Sequence, residues 1–519
     1  MQPATDVMPR RRLFAFIAMA VGMFMAILDI QIVSSSLSEI QAGLAAGASE
    51  ISWVQTSYLI AEVVMIPLSG FLSRALSTRY LFAIAAGGFT VTSALCATAT
   101  SIDQMMVYRA LQGFIGGAMI PSVFAAAFTI FPPQRRGSIS AVVGLIATMA
   151  PTIGPTVGGY LTNLFSWHWL FLINVIPGIA VTAAAYFLID FDKPDLKLLR
   201  KFDYIGLVTL AAFLGGLEYV LEEGPQYDWF QDETVRNLAI VSAVGCVMFF
   251  WRAFTAEEPV VDLRTFRDRN FATGSLFSFI VGVGLYGLVY LYPVFLARVR
   301  GYDSLQIGET MFVTGMFQMI TAPFAGMLGQ RFDARWIVGF GMGLFGISCL
   351  ELVPITKDWA FVELFIPQAM RGVALMLAMV PISMLALGTL PPQLIKDASG
   401  LFNLTRNLGG AVGLALITTL LNDRTDLHIA RLHEAVNWGR QAAVEQLQTM
   451  TQAFTPSLGS DSQLAAIKMM TQTAHRESLV MAFSDVFLVL AFVFMAMVLV
   501  VPFIRKPVPR GAPAGGGSH

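Results

Sequence analysis

Eight ionisable side chains stand inside long apolar stretches of the sequence, and they are the residues best placed to do chemistry. A charged group costs free energy in hydrocarbon, so each of them is a candidate for binding an ion, moving a proton or pairing with an opposite charge. The eight are Asp29, Glu62, Arg109, Glu218, Glu309, Arg371, Arg406 and Asp485.

Asp29 and Glu62 lie deepest in their apolar stretches and are the candidates for proton binding. Apolar surroundings favour the neutral form of a carboxyl group, so such a group can take up and release a proton as its surroundings change. A carboxylate that binds either a proton or a substrate is what an antiporter needs. Asp29 could instead make a structural helix contact near the outer end of its segment. Glu62 could instead snorkel or line a pore.

The remaining candidates have weaker arguments. Arg109 could pair with a carboxylate, cap backbone carbonyls freed by a kink, or bind an anionic substrate. Glu218, Glu309 and Asp485 lie close to segment ends, where we expect them to be solvated. Five residues are candidates for lining a substrate cavity: Arg406, already among the eight, and Gln31, Tyr58, Tyr292 and Asn403.

The elements that must position these residues are membrane-spanning helices. The chain has 519 residues, of which 56% are hydrophobic and only 13% charged, and its mean hydropathy is +0.67. That much apolar surface exceeds the interior of one soluble globule, so we expect an all-α polytopic membrane protein. Fourteen apolar segments reach membrane length: 13–34, 52–72, 80–99, 105–131, 137–161, 168–190, 204–222, 237–254, 272–297, 305–329, 336–354, 361–388, 399–421 and 479–503.

Composition also excludes several functions. The net charge of −1 provides no field for binding nucleic acid. The three cysteines and five histidines are scattered and form no ligand spacing, so we expect neither a metal site nor a cofactor. The sequence contains no nucleophile–base pair, so an enzyme is not expected.

Basic residues alternate between the connections, and an even number of spans puts both termini on the same side. Lys and Arg concentrate in the cytoplasmic loops of membrane proteins, which predicts cytoplasmic termini. Arg10 to Arg12, Arg74 and Arg79 lie on that predicted cytoplasmic side. The opposite, outer side includes one long loop, 422–477. A pattern typical of an amphipathic helix covers Leu427 to Val436, a break follows at Pro456 to Gly459, and a second such pattern runs from Gln463 to His475.

Short motifs recur in the same order in two parts of the chain. Pro67 and Gly70 of the second segment recur as Pro323 and Gly326 of the tenth. In the same way Gln112-Gly113 and Pro121 recur as Arg371-Gly372 and Pro381, and Gly154, Gly158 and Gly159 recur as Gly409, Gly410 and Gly413. Same-direction repeats of six helices are the plan of transporters that move two bundles around a central site.

The repeat predicts four parts. Residues 1–195 form a first six-helix bundle, 196–260 an inserted two-helix hairpin, 261–508 a second six-helix bundle that includes the outer loop, and 509–519 a flexible tail. The fifth segment combines small residues with two prolines, which favours a bent helix that approaches another helix closely. We expect Gly154, Pro155, Gly158 and Gly159 to lie where the two bundles meet.

Several motifs resemble the major facilitator superfamily, and within it the fourteen-helix drug:H⁺ antiporters of the EmrB/QacA type. Leu28-Asp29-Ile-Gln-Ile-Val33 is similar to the first-helix signature, Arg109-Ala-Leu-Gln112-Gly113 to the fourth-helix motif, and Ala150 to Gly159 to the fifth-helix antiporter motif. Further similarities lie at Trp167 to Asn174, Asp228 to Phe230, Arg269 to Phe271 and Asn403 to Arg406. The chain departs from the superfamily at Arg74, usually acidic, and at Ser77, usually glycine, which puts the usual cytoplasmic charge latch in doubt.

The resemblance implies a proton-coupled exporter of hydrophobic or amphiphilic toxic compounds in the bacterial inner membrane, with Arg109 in proton coupling. It also implies a periplasmic adaptor and an outer-membrane channel that dock on loop 422–477. Two alternatives stay open. The chain could export a single compound, such as a fatty acid, siderophore or lipid, or it could be a membrane receptor or scaffold that transports nothing.

Overall fold

The structure is a computed structural model that describes residues 9–47, 50–435 and 439–505. The predicted tail 509–519 and a short part of the outer loop lie outside these residues. The described residues form these α-helices: α1 (Arg10–Ser34), α2 (Leu37–Leu44), α3 (Trp53–Ala97), α4 (Ile102–Gly116), α5 (Met119–Ile130), α6 (Pro133–Leu164), α7 (Trp169–Leu172), α8 (Val175–Leu188), α9 (Tyr204–Glu223), α10 (Glu233–Thr255), α11 (Arg269–Arg298), α12 (Ser304–Arg331), α13 (Ala334–Leu350), α14 (Phe361–Gly388), α15 (Ile395–Ala435), α16 (Gln441–Leu458) and α17 (Ser462–Val498).

Twelve helical stretches of the described chain are long and apolar enough to cross a membrane, and the 17-residue α13 is a shorter apolar helix. The sequence predicts fourteen spans because it divides α3 in two. The 45 residues of α3 run through without a loop, but Ser77 interrupts them with φ 73° and ψ 156°. This backbone conformation is close to exclusive to glycine. Ser77 is therefore both a break in α3 and a strained residue.

The repeated glycines lie at corresponding helix contacts. A Cβ atom added at Gly70 would lie 2.7 Å from Asp397 Oδ1 on α15. A Cβ atom added at Gly326 would lie 2.8 Å from the carbonyl oxygen of Gly137 on α6. Each glycine lets two helix backbones from distant parts of the sequence approach closely. The packing of α3 on α15 thus corresponds to the packing of α12 on α6.

Helices α9 and α10 pack tightly against each other, and the end of α9 contacts both parts of the repeat. Ser242 donates a hydrogen bond to the carbonyl oxygen of Phe213 at 2.8 Å, joining α10 to α9. Thr56 of α3 donates to Glu223 at the end of α9 at 2.9 Å. Just beyond α9, the Trp229 indole donates to Thr419 of α15 at 3.1 Å. The end of α9 is therefore held between a helix of each repeat.

Ion pairs on the predicted cytoplasmic side join α15 to the first repeat. Arg74 Nε lies 3.3 Å from Asp397 Oδ2. Lys396 Nζ lies 2.5 Å from Asp192 Oδ2, and the backbone amide of Thr78 donates to that carboxylate at 2.8 Å. Arg74 therefore does pair across the two repeats, with an acid of α15 as its partner.

The outer loop is more helical than its sequence pattern indicates. Helix α15 continues to Ala435, and α17 begins at Ser462. Both predicted helical patterns are thus extensions of spanning helices. A further helix, α16, which the pattern did not indicate, lies between them and packs against α17. It ends at Leu458, inside the predicted break.

Candidate functional site

A fully buried ion pair joins the first and fourth predicted spans. Arg109 Nη1 donates to Asp29 Oδ2 at 2.6 Å, and both side chains are 0% exposed. Gln112 accepts from the same Arg109 nitrogen at 2.7 Å and donates to Asp29 Oδ1 at 3.3 Å. Because Arg109 and Gln112 lie three positions apart, they project from the same face of α4. The predicted pairing of Arg109 with a carboxylate is what the structure contains.

Two residues that the sequence analysis did not single out complete this network. Asn174, directly before α8, donates to Asp29 Oδ1 at 2.7 Å. Ser93 of α3 accepts from Gln112 at 2.7 Å. Asn174 ends the motif similarity Trp167 to Asn174, whereas the only signal for Ser93 was a polar residue inside an apolar stretch, which is common in helix packing. Asp29 is thereby held by Arg109, Gln112 and Asn174 together.

Gly113 allows the helix approach on which this network depends. A Cβ atom at Gly113 would overlap the carbonyl oxygen of Tyr58, because α4 and α3 lie so close there. The same approach brings the Tyr58 ring to 4.3 Å from Arg109 Cζ, a cation–π distance. Arg109 Nε also donates to the carbonyl oxygen of Val54 at 3.1 Å.

Glu62 is as buried as Asp29 but lacks the hydrogen-bond partners that hold Asp29. It is 1% exposed and lies along a cavity. Its Oε1 atom has no hydrogen-bond partner among the described residues. Arg109 and Arg406 both act electrostatically on this carboxyl group, but neither forms an ion pair with it among the contacts described. A buried carboxylate without a partner is costly, so Glu62 is suited to bind a proton or a cation.

The cavity has a volume of about 420 Å³ and lies toward the predicted outer ends of the helices. Its walls come from α1, α3, α6, α9, α11 and α15, which include helices of both repeats. Apolar residues such as Leu59, Val63 and Val289 form much of the lining. Polar side chains, among them three glutamates, interrupt this apolar lining, so the cavity can contact both apolar and polar parts of a ligand.

Of the five residues expected to line a cavity, only Gln31 lines this one. Tyr58 and Tyr292 are fully buried against arginines instead: Tyr58 against Arg109, and Tyr292 5.2 Å from Arg371 Cζ. Asn403 and Arg406 bind each other at 2.8 Å inside the packing of α15. These four residues do not line this cavity, because their side chains serve helix packing in this structure. A contact of theirs with substrate stays a prediction.

The solvated interpretation is also wrong for Glu218. It is 6% exposed and lies along the cavity together with Glu222, one helical turn further on α9. Glu309 is exposed as expected. Asp485 is half-buried, and its Oδ2 atom lies 2.9 Å from His428 Nε2. Position along a segment could not separate these cases, because the end of α9 is covered by other helices.

Helix α6 contacts the second repeat through Gly137 and Gly144, whereas Gly154 and Gly158 face the first repeat. A Cβ atom at Gly154 would overlap Gln31 of α1, and one at Gly158 would lie 2.7 Å from Ser35 Oγ just beyond α1. The expectation that these two glycines lie between the bundles is therefore wrong. Gly159 is buried and Pro155 lines the cavity. The face of α6 that meets α12 carries Thr156, next to Gly308.

The second repeat has no equivalent of the Asp29–Arg109 pair among the described residues. Arg371-Gly372 is the repeat of the fourth-helix motif residues Gln112-Gly113. The three guanidinium nitrogens of Arg371 have no hydrogen-bond partner among the described residues. Its nearest described aromatic contact is Tyr292. The buried acid–base chemistry thus belongs to the first repeat.

A multi-pass helical membrane protein with a central cavity between repeated helices, and with buried carboxyl groups beside it, has the architecture of a secondary transporter. Residues 19–414 match the Major Facilitator Superfamily. The chain belongs to this superfamily.

Two curated relatives match over nearly their full length. The chain is 43% identical to the colistin resistance protein EmrB of Acinetobacter baumannii over 95% of this chain and 96% of the relative. It is 29% identical to the multidrug export protein EmrB of Escherichia coli K12 over 97% of each. The fold is similar to the crystal structure of the human organic anion transporter MFSD10, with a TM-score of 0.57, 12% identity, and coverage of 95% of this chain and 100% of that one.

Proposed function

We propose that this protein is a proton-coupled antiporter that exports hydrophobic or amphiphilic toxic compounds across the bacterial inner membrane. The observation that carries the proposal is the Glu62 carboxyl group, which is buried, lacks a partner at Oε1 and faces the central cavity. The names of the two relatives, a colistin resistance protein and a multidrug export protein, support the same function.

Glu62 couples the two fluxes by competition. A proton neutralises the buried carboxylate, and so does a bound substrate with a positive or strongly polar group. Since one carboxylate cannot do both at once, loading of substrate releases the proton. Asp29 and Arg109 lie close enough to act electrostatically on Glu62, so a change in their pairing alters its preference for the proton.

Alternating access requires the cavity to open on either side in turn. The cavity lies toward the predicted outer side, while Arg74–Asp397 and Lys396–Asp192 join the repeats on the other. These pairs must break when the protein opens inward. One charge that crosses a potential of about 100 mV gains about 2.3 kcal/mol, which is enough to drive a substantial concentration ratio.

The architecture proposed with this function has fourteen spans. The break at Ser77 supports counting α3 twice, and α13 adds a short span. Residues 1–195 and 261–508 then form the two six-helix bundles, and 196–260 the inserted hairpin. Both termini lie in the cytoplasm, as the basic connections indicate. Reporter fusions to each terminus test the orientation: activity of a periplasm-only reporter at either end contradicts it.

A periplasmic adaptor, leading to an outer-membrane channel, is the proposed partner of loop 422–477. Helix α16 supports adaptor docking, since Leu447 is its one buried residue and most of its surface is exposed. Deletion of residues 430–470 tests it in cells that contain the adaptor. Loss of copurification with retained folding supports docking, and unchanged copurification contradicts it.

The decisive experiment is substrate-induced proton release from the purified protein. We expect release with the wild type, and loss of pH-driven transport in proteoliposomes with Glu62→Gln and Asp29→Asn. Full transport by both variants would refute the assignment. A receptor or scaffold predicts no substrate-dependent proton flux at all. A competition panel of cationic dyes separates broad export from export of a single fatty acid, siderophore or lipid.

A further inference from the structure

Helix α9, which stands outside the two repeats, contributes two carboxyl groups to the central cavity. Glu218 and Glu222 lie one turn apart on the same face of α9, and both line the cavity. Glu218 is buried, Glu222 half-buried. No ion pair or hydrogen bond joins either side chain to a basic residue among those described. The transport mechanism proposed above uses neither of them.

The cavity is acidic on more than one wall. Glu62 of α3 faces it with an unpartnered Oε1 atom and 1% exposure. Glu218 and Glu222 of α9 line the same cavity as Glu62, so three carboxyl groups face one space. None of the described lining residues is Lys, Arg or His. The aromatic rings of Tyr286 and Tyr290 also line it, and such rings attract cations.

We propose that Glu218 and Glu222 form a second cation-binding position in the cavity, so that substrates with two positive centres bind with one at Glu62 and the other at α9. This rests on the proposed transport function. An uncompensated carboxylate next to apolar walls gains most from a cation that brings its own apolar body. The hairpin thereby determines which substrates are preferred, while the repeats perform the exchange.

The placement of α9 makes this role specific. Its end is anchored to α3 by Thr56–Glu223 and to α15 by Trp229–Thr419. Glu218 and Glu222 are therefore presented at a defined place between the two repeats. Glu223, the next residue, accepts a hydrogen bond from Thr56 and does not line the cavity. It provides a control of the same charge, on the same helix turn.

The test uses two probes that differ only in the second charge. They are octyltrimethylammonium and its bis-quaternary analogue, which has a trimethylammonium group at each end of the same chain. Binding is measured by calorimetry on the full-length protein in nanodiscs of zwitterionic lipid, with protein-free nanodiscs subtracted. We expect the wild type to bind the bis-cation about tenfold more tightly, since a second attraction between opposite charges in a partly buried cavity contributes at least this much.

The double variant Glu218→Gln/Glu222→Gln is expected to lose this preference and to keep its affinity for the monocation. Retained monocation binding shows that the variant is folded. Glu223→Gln removes the charge but keeps a side-chain oxygen that accepts from Thr56, so α9 stays anchored and the preference is expected to be kept. The proposal is overturned if the double variant still prefers the bis-cation, if Glu223→Gln loses the preference equally, or if the wild type has none. Proton release by the monocation is measured in parallel: its absence in the wild type would refute the transport function instead.

Discussion

Asp29 Oδ2 accepts a hydrogen bond of 2.6 Å from Arg109 Nη1, and water reaches neither side chain. Gln112 and Asn174 add further bonds to the same carboxylate. Glu62, by contrast, lies on the cavity wall with an unpartnered oxygen. Asp29 is thus held in a network, whereas Glu62 is free to bind a proton or a cation.

Asp29→Asn should destabilise the protein by about 3–5 kcal/mol, because it leaves the buried Arg109 guanidinium without its counter-charge. The double variant Asp29→Asn/Arg109→Gln should recover part of this loss. Thermal unfolding of the detergent-purified variants measures both. If the two single effects simply add in the double variant, the residues are not coupled and the pair has no structural role.

Glu62→Gln should leave the unfolding midpoint unchanged or raise it, because it replaces an unpartnered buried carboxyl group by a neutral amide. Substrate-induced proton release should be lost. Glu309→Gln, at an exposed position on α12, is the control and should change neither property. A strongly destabilised Glu62→Gln protein would indicate that this residue holds the structure together instead.

Gly113→Ala should destabilise the protein by at least about 1–3 kcal/mol, because the new methyl group overlaps the carbonyl oxygen of Tyr58. Gly343→Ala is the matched control. There the nearest atom, Val498 Cγ2, is 3.7 Å away, and a helical Gly→Ala exchange favours the helix by up to about 1 kcal/mol. Equal effects of the two changes on the unfolding midpoint would contradict the close packing of α4 on α3.

Ser77→Gly should stabilise the protein by about 1 kcal/mol, because the backbone at φ 73° and ψ 156° suits glycine. Ser69→Gly, in the helical part of α3, should destabilise by about the same amount. The comparison is made by thermal unfolding. A lower midpoint for Ser77→Gly than for the wild type would show that the break is not strained.

The variant Lys396→Met/Asp397→Asn should shift the protein toward its inward-open form, because it removes both ion pairs from α15 to the first repeat. Spin labels at the exposed positions Lys193 and Gln393 report the separation on the predicted cytoplasmic side. We expect a larger population at long distance between the two labels than in the otherwise wild-type protein labelled at Lys193 and Gln393. An unchanged distance distribution would show that these pairs do not hold that side closed.

Much of the architecture could be predicted because hydropathy and glycine spacing are local properties. The apolar segments correspond to the helices, and the repeated glycines Gly70 and Gly326 lie at corresponding contacts. The span count was harder, since α3 continues through the place where the sequence indicates a loop. Whether such a segment bends or stops depends on a single backbone conformation at Ser77, which packing helps to impose.

The site was predicted less completely. Asp29, Glu62 and Arg109 stand out because charges are rare in apolar segments. The difference between Asp29 and Glu62 does not stand out in the sequence. Only the structure shows that Asp29 pairs with Arg109 and that Glu62 faces a cavity. Its place near a segment end predicts a solvated Glu218, but the structure buries this residue. Four of the residues expected to line the cavity are packed away from the cavity. Gly154 and Gly158 of α6 meet α1 and the residues just beyond it rather than the second repeat.

By itself, then, the sequence determined that the chain is a repeated bundle of membrane helices with a few costly buried charges. Composition and periodicity suffice for this, because each helix must satisfy its own backbone in lipid. The tertiary structure decided which charges meet. Asp29 and Arg109 come from different helices, and Glu218 reaches the cavity from a third, so their environment depends on contacts between segments far apart in the chain. No local pattern records such contacts.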